Sequence, residues 1–236
     1  MTVHTLVGFG SLVSEASARC SFDFTNFRIG EVAGWQRCFN QANWVNVEHG
    51  WGSVSNGNNV AALAMIKADS RHVSRVALMD VTEDDLKGFY EREAGYLIQT
   101  TPYWRHAADG TVLESGAALI CTACADDAEA DALWAPGGAM EVNCAGSEYV
   151  REWMRSSLRP LWPTPSMPLL PSPGYLQLCA EAHLRAGMLD HFLDSTLLND
   201  RVTTLRAFCA RDAPTRTLIE KLGAQATEAE AQDAGI

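Results

Sequence analysis

Two short stretches carry residues whose types and spacing could do chemistry. The first is Gly8-Phe9-Gly10-Ser11-Leu12, which follows the β-prone run Thr5–Val7. Glycine permits backbone angles closed to other residues and lets a ligand come close. A strand running into Gly-x-Gly-Ser can therefore offer successive N–H groups to a carboxylate or phosphate. A dinucleotide fingerprint would need a further glycine where Val13 stands. A tight turn after an edge strand is the competing reading, and a short glycine motif does not separate the two. The second stretch is Phe89-Tyr90-Glu91-Arg92-Glu93-Ala94-Gly95-Tyr96. Glu93 falls at the end of an expected helix, just before the chain turns at Gly95. The negative helix terminus and cover from Tyr96 and Trp104 would both disfavour its ionised form and raise its pKa. A carboxylate tuned toward neutral pH suits general acid–base work. Glu91 is the rival acid, and a solvated Glu-Arg-Glu face is the reading without chemistry.

Cys121-Thr-Ala-Cys124 has the spacing of redox and metal motifs. No second CxxC or HxxxH pair supplies further ligands. The strand-like run Ala117–Cys121 favours buried structural thiols instead. The six histidines form no ligand-like pair, and His183 and His191 are expected to cover helix faces. No metal site is expected. The seven tryptophans are scattered and read first as core. Trp44 and Trp51 lie in a polar, Asn-rich stretch and could line a pocket mouth.

The elements that must position these residues divide unevenly. The first half reads as strands: Thr5–Val7, parts of Phe27–Phe39, Val60–Lys67, Val73–Val81 and Thr111–Cys121. Asn56-Gly-Asn-Asn59 is a turn signal before the third of these. One helix interrupts them. Thr82 is its expected cap, acids occupy 83, 84 and 85, and Leu86, Phe89 and Tyr90 repeat at i, i+3 and i+4. Gly95 is its expected stop. Six prolines crowd Pro160–Pro173, which should run extended over the surface. Helices are expected at Ser147–Leu158, Tyr175–Ala186, Leu189–Leu198, Thr203–Cys209 and Thr215–Leu222, with a frayed tail after Gly223. Strands followed by helices imply an α+β chain.

Taken together, the two stretches resemble the γ-glutamylcyclotransferase-like superfamily. Gly8-Phe9-Gly10-Ser11-Leu12 is similar to its Tyr-Gly-Ser-Leu loop, with Phe9 at the aromatic position. Arg92-Glu93-Ala94-Gly95-Tyr96 is similar to the Arg-Glu-x-x-Tyr segment that carries the family's catalytic glutamate. Pro171-Ser172-Pro173-Gly174-Tyr175-Leu176 looks like the Pro-Ser…Tyr-Leu stretch of the glutathione-specific ChaC-type branch. The resemblance covers roughly residues 5–180. It implies a small closed β-barrel with flanking helices, assigned to 1–180; the helical patterning and polar tail leave a helical extension with a disordered tail over 181–236. It also implies formation of 5-oxoproline from a γ-glutamyl compound, with glutathione the first candidate, and no cofactor or metal. Carried over residue by residue, Glu93 becomes the general acid–base. Gly8, Phe9, Gly10, Ser11 and Leu12, with Tyr175, become the substrate-binding set. A non-catalytic ligand-binding module on the same fold is the alternative, and a dithiol redox protein a third reading.

Bulk properties fit a small-molecule partner. The chain has 236 residues, 47% hydrophobic and 20% charged, with a formal net charge of −11. That composition is globular and long enough for a sizeable core. The acidic balance argues against nucleic acid, whose phosphates are held by Lys and Arg. No segment approaches the ~18 apolar residues of a membrane span. An odd count of seven cysteines and a non-basic start point to a reducing, cytoplasmic setting.

Overall fold

The computed structural model describes residues 2–55 and 58–233, with backbone alone beyond residue 224. Its N-terminal elements are β1 (Val3–Gly8), α1 (Glu15–Arg19), β2 (Thr25–Ala33), β3 (Trp35–Ala42), α2 (Trp44–Glu48), β4 (Ala61–Lys67), β5 (Val73–Thr82), α3 (Leu86–Arg92), β6 (Leu97–His106) and β7 (Val112–Thr122). After these come α4 (Asp127–Trp134), α5 (Ala139–Asn143), α6 (Glu148–Ser156), α7 (Pro173–Arg185), α8 (Leu189–Ser195), β8 (Leu197–Leu198), α9 (Leu205–Arg211) and α10 (Ala213–Asp233).

Five strands close on themselves. β1 pairs antiparallel with β5, β5 with β2, β2 with β6 at Glu31↔Trp104, and β6 with β7. β7 returns to β1 in parallel at Thr5↔Ala118 and Leu6↔Leu119. Closure removes the free edges that an open sheet would leave. β4, β3 and β8 extend the sheet from the far end of β7, starting at Met65↔Thr122. The expected α+β class and closed barrel are therefore the observed ones. The largest cluster of buried side chains runs from Leu6 and Phe39 through Phe89 and Ile120 to Phe192 and Leu222, so strands and C-terminal helices share it.

Several local expectations change. Thr82 does not cap α3. Its hydroxyl donates to Asp85 at 2.6 Å, and the helix starts one turn later, at Leu86. The proline-rich stretch lacks helix or strand until α7 starts at Pro173, but it does not simply run over the surface: Leu161, Trp162, Leu169 and Ser172 are buried, and the stretch is stitched to the sheet. Ala42 N donates to Leu161 O, Ala61 N to Leu170 O and Ser172 N to Ala61 O. Those bonds run through residues that keep their carbonyls and amides beside the prolines that lack a donor. The chain after Gly223 continues as helix to Asp233 rather than fraying, and 234–236 lie outside the described residues. Half of the Asn56–Asn59 turn also lies outside them. Among the described residues no helix is long and apolar enough to cross a membrane.

Candidate active site

Glu93 is the residue that closes α3. Its backbone N–H donates to Phe89 O at 3.0 Å, its φ of −100° leaves the helical range, and Tyr96 N donates back to Glu93 O at 3.0 Å. The Trp134 indole N–H holds the next carbonyl, Ala94 O, at 3.0 Å. The turn is therefore pinned from outside the helix. Gly95 serves it through size rather than a left-handed angle, because a Cβ there would lie 2.5 Å from the Trp153 ring.

Only 8% of Glu93 is exposed, and that part lines a cavity of about 480 Å³. Burial raises its pKa above the ordinary carboxylate range, against the opposing pull of Arg92 and a side-chain contact from Cys121. Arg92 Nε lies 3.4 Å from Glu93 Oε1. Its other four N–H groups are also engaged. Nη1 donates to Ser17 O and Ser21 Oγ, and Nη2 to Ser11 Oγ and Ser17 Oγ. A guanidinium has five donors in a rigid fork, so Arg92 ties α1, the Ser11 turn and Glu93 into one frame.

The same cavity is lined by Ser11, Tyr96 and Tyr175. Tyr96 Oη donates to Leu63 O at 2.8 Å. Tyr175 enters near the start of α7, edge-on to Phe39, with its hydroxyl against Gly10. Burial first, and then the neighbouring Cys179, lift the Tyr175 pKa well above its usual value, so it is a neutral hydrogen-bonding phenol.

The predicted binding loop splits. Ser11 reaches the cavity, whereas Gly8, Phe9, Gly10 and Leu12 stand behind it. Gly8 is the last paired residue of β1. The Phe9 and Leu12 side chains are core, and Phe9 O accepts from buried Arg37 Nε at 2.9 Å. Gly10 starts the 3₁₀ turn Ser11–Val13, and the Ser11 amide leans on the Cys179 sulfur. Glu91 also touches the cavity but pairs with Lys87 at 3.8 Å and is 31% exposed at the side chain.

Sequence reasoning missed or misplaced other members. Trp104 sits on β6 opposite Ser115 and does not line the cavity, whereas Trp153 of α6 lines it and packs on Gly95. Trp51 lines the mouth; Trp44 does not. Cys121 and Cys124 are buried, but Cys121 also meets Glu93, which pushes its thiol pKa further up than burial alone. His183 is wholly buried rather than on a helix surface, stacked on Phe192 with centroids 4.1 Å apart. Ser17 and Ser21 carried no sequence signal at all. Among the described residues no group of three or more His, Cys, Asp or Glu could hold a metal.

No family model and no curated protein matches the chain. Several solved structures superpose on parts of the chain. A solution structure from Arabidopsis thaliana is 15% identical, covers 66% of this chain and 83% of its own, and superposes with a TM-score of 0.39. A structure described as a γ-glutamyl cyclotransferase is 10% identical, covering 66% and 100%, at a TM-score of 0.36. A yeast γ-glutamyl cyclotransferase specific to glutathione is 11% identical, covering 66% and 96%, at 0.35. These are loose likenesses, and the chemistry rests on the chain's own residues.

Proposed function

We propose that the chain is a γ-glutamyl cyclotransferase, with Glu93 as its general acid–base. The observation that carries this reading is a buried glutamate of raised pKa, framed by Arg92 and facing a cavity shared with Ser11 and Tyr175.

The α-amine of a γ-glutamyl group attacks its own side-chain carbonyl. A C–N bond forms to close the five-membered lactam, and the C–N bond to the departing amine breaks. Glu93 takes the proton that the attacking nitrogen loses and returns it to the departing nitrogen. A raised pKa strengthens the carboxylate as a base, while Arg92 keeps the ionised form accessible. The Ser11 hydroxyl and amide suit the substrate's α-carboxylate. The Ser11 amide lies toward the Cys179 thiol, and a sulfur is a weaker acceptor than a carboxylate. The Tyr175 phenol suits the glutamyl head group. Holding the chain folded accounts for much of the rate, since intramolecular closure gains from orientation.

The test is release of 5-oxoproline from purified protein offered glutathione and other γ-glutamyl compounds. Turnover abolished in Glu93→Gln and retained in Glu91→Gln is the expected result. Compounds that bind without yielding 5-oxoproline would instead make the chain a binding module. Activity lost in Cys121→Ser but not in Glu93→Gln would make it a dithiol protein.

A further inference from the structure

The cavity is lined by residues of two kinds. Glu93, Ser11 and Tyr175 are polar, and a γ-glutamyl head group belongs against them on the cyclotransferase reading. Beside them stand large aromatic and apolar side chains from three elements. Tyr149 and Trp153 lie four residues apart on α6 and share one helix face. Trp51 follows α2 and stands edge-on to His49, with ring centroids 4.6 Å apart. Leu178 of α7 completes the set. Tyr149 and Leu178 are 63% and 41% exposed, unusual for large apolar side chains grouped round one opening.

The charges at this opening point the same way. Among the described residues lining the cavity, Arg92 and His49 are the only basic ones. All five Arg92 donors already have partners, and His49 is set against the Trp51 ring. Glu91 and Glu93 line the same space. A carboxylate on the departing half would meet two acids and three aromatic rings, with no free guanidinium or ammonium to receive it. Two neighbouring carboxylates with no free cation between them repel a further anion. A flat apolar group would instead cover exposed ring surface.

The geometry points to a substrate whose leaving amine carries an aromatic group and no carboxylate: a γ-glutamyl amide of an arylalkyl amine, rather than a γ-glutamyl peptide with a free C-terminus. This rests on the cyclotransferase reading. It assigns Trp51, Tyr149 and Trp153 to selection of the leaving group.

Four probes separate ring from charge. The full chain is assayed for 5-oxoproline release from γ-glutamyl-phenethylamide, γ-glutamyl-ethylamide, γ-glutamyl-phenylalanine and glutathione. Phenethylamide should exceed glutathione in kcat/KM by about 10-fold or more, with the other two between them. Trp153→Leu should cut the phenethylamide-to-ethylamide ratio about 10-fold. Because Trp153 packs on Gly95, exposed Tyr149 gives a second variant less exposed to misfolding. Tyr149→Arg supplies the missing cation and should raise γ-glutamyl-phenylalanine relative to phenethylamide about 5-fold or more. Glutathione or γ-glutamyl-phenylalanine turned over as well as phenethylamide overturns this inference and leaves the cyclotransferase reading standing. Release from none of the four overturns both.

Discussion

Burial raises the pKa of Glu93, so a reaction that needs its carboxylate must weaken on the acid side sooner than it would with an exposed glutamate. The acid limb of kcat/KM against pH is expected above the ~4.3 of an ordinary glutamate. Arg92 opposes the rise, so Arg92→Gln should move that limb to still higher pH. Glu93→Gln should lower kcat about 100-fold or more. The same substitution has an opposite consequence for stability. A carboxyl whose pKa is raised on folding contributes fully below its unfolded pKa, and that contribution is lost as pH rises through the folded pKa. Glu93→Gln should therefore melt higher than the parent at neutral pH by thermal denaturation, with the gap closing below about pH 4. A lower melting point at neutral pH would mean that the Arg92 pairing outweighs the desolvation. At this scale Glu93, Ser11 and Tyr175 were legible because each sits in a short local pattern. Cys121 read only as a buried thiol and Trp153 only as a helix stripe, because what each touches lies far away in the chain, Glu93 for the thiol and Gly95 for the ring.

Elements hold the site by close approach. A Cβ on Gly10 would lie 2.6 Å from Tyr175 Oη and 3.6 Å from Cys179 Sγ. α7 thus seats against the loop only because position 10 has no side chain. Gly10→Ala should cost about 1–3 kcal/mol in chemical denaturation through overpacking, and should reduce 5-oxoproline release. Combining it with Tyr175→Phe removes the clashing hydroxyl and should recover most of the stability. No recovery would place the strain in the loop backbone. The strand that sequence patterning left out, β6, carries Pro102 at its centre, and a proline argues against an inner strand. Here it is tolerated because β6 meets β2 in register only at Glu31↔Trp104, so one side of the strand near Pro102 asks for no ladder donor. β1, β4, β5 and β7 were readable from apolar runs bounded by turns, and β2 and β3 as parts of one longer stretch. β8 was not, because Leu197–Leu198 extends the apolar pattern expected as a helix to Leu198, whereas α8 stops at Ser195 and the two leucines pair with β3. That pairing and the irregular stitching of the proline stretch depend on long-range partners that no local pattern encodes.

Across the whole molecule one cluster of charges spans the barrel. Arg28 on β2 has a side chain only 4% exposed and reaches Asp80 on β5 at 3.0 Å and Glu114 on β7 at 2.6 Å. Tyr103 Oη and Arg105 Nη1 on β6 donate to the same Glu114. Hydrogen bonds, Arg28 first, pull the Glu114 pKa down to about 2. Its stabilising contribution is present above the unfolded value near ~4.3 and is lost as pH falls through about 2. Glu114→Gln should cost roughly 1–3 kcal/mol at neutral pH by leaving Arg28 undercompensated. It should also flatten the acid side of the stability profile measured by denaturant titration. An unchanged profile would mean that Asp80 alone neutralises Arg28.

The ring of strands closes through β1 and β7 over just two paired positions, while β1 holds β5 over six. This seam and the single pair that joins β2 to β6 are where the barrel breathes. Main-chain hydrogens of β1 directed at β7 should take up deuterium before those directed at β5. Because β1 ends at Gly8 and leads straight into Ser11, each opening of that seam would loosen the wall of the cavity from beneath.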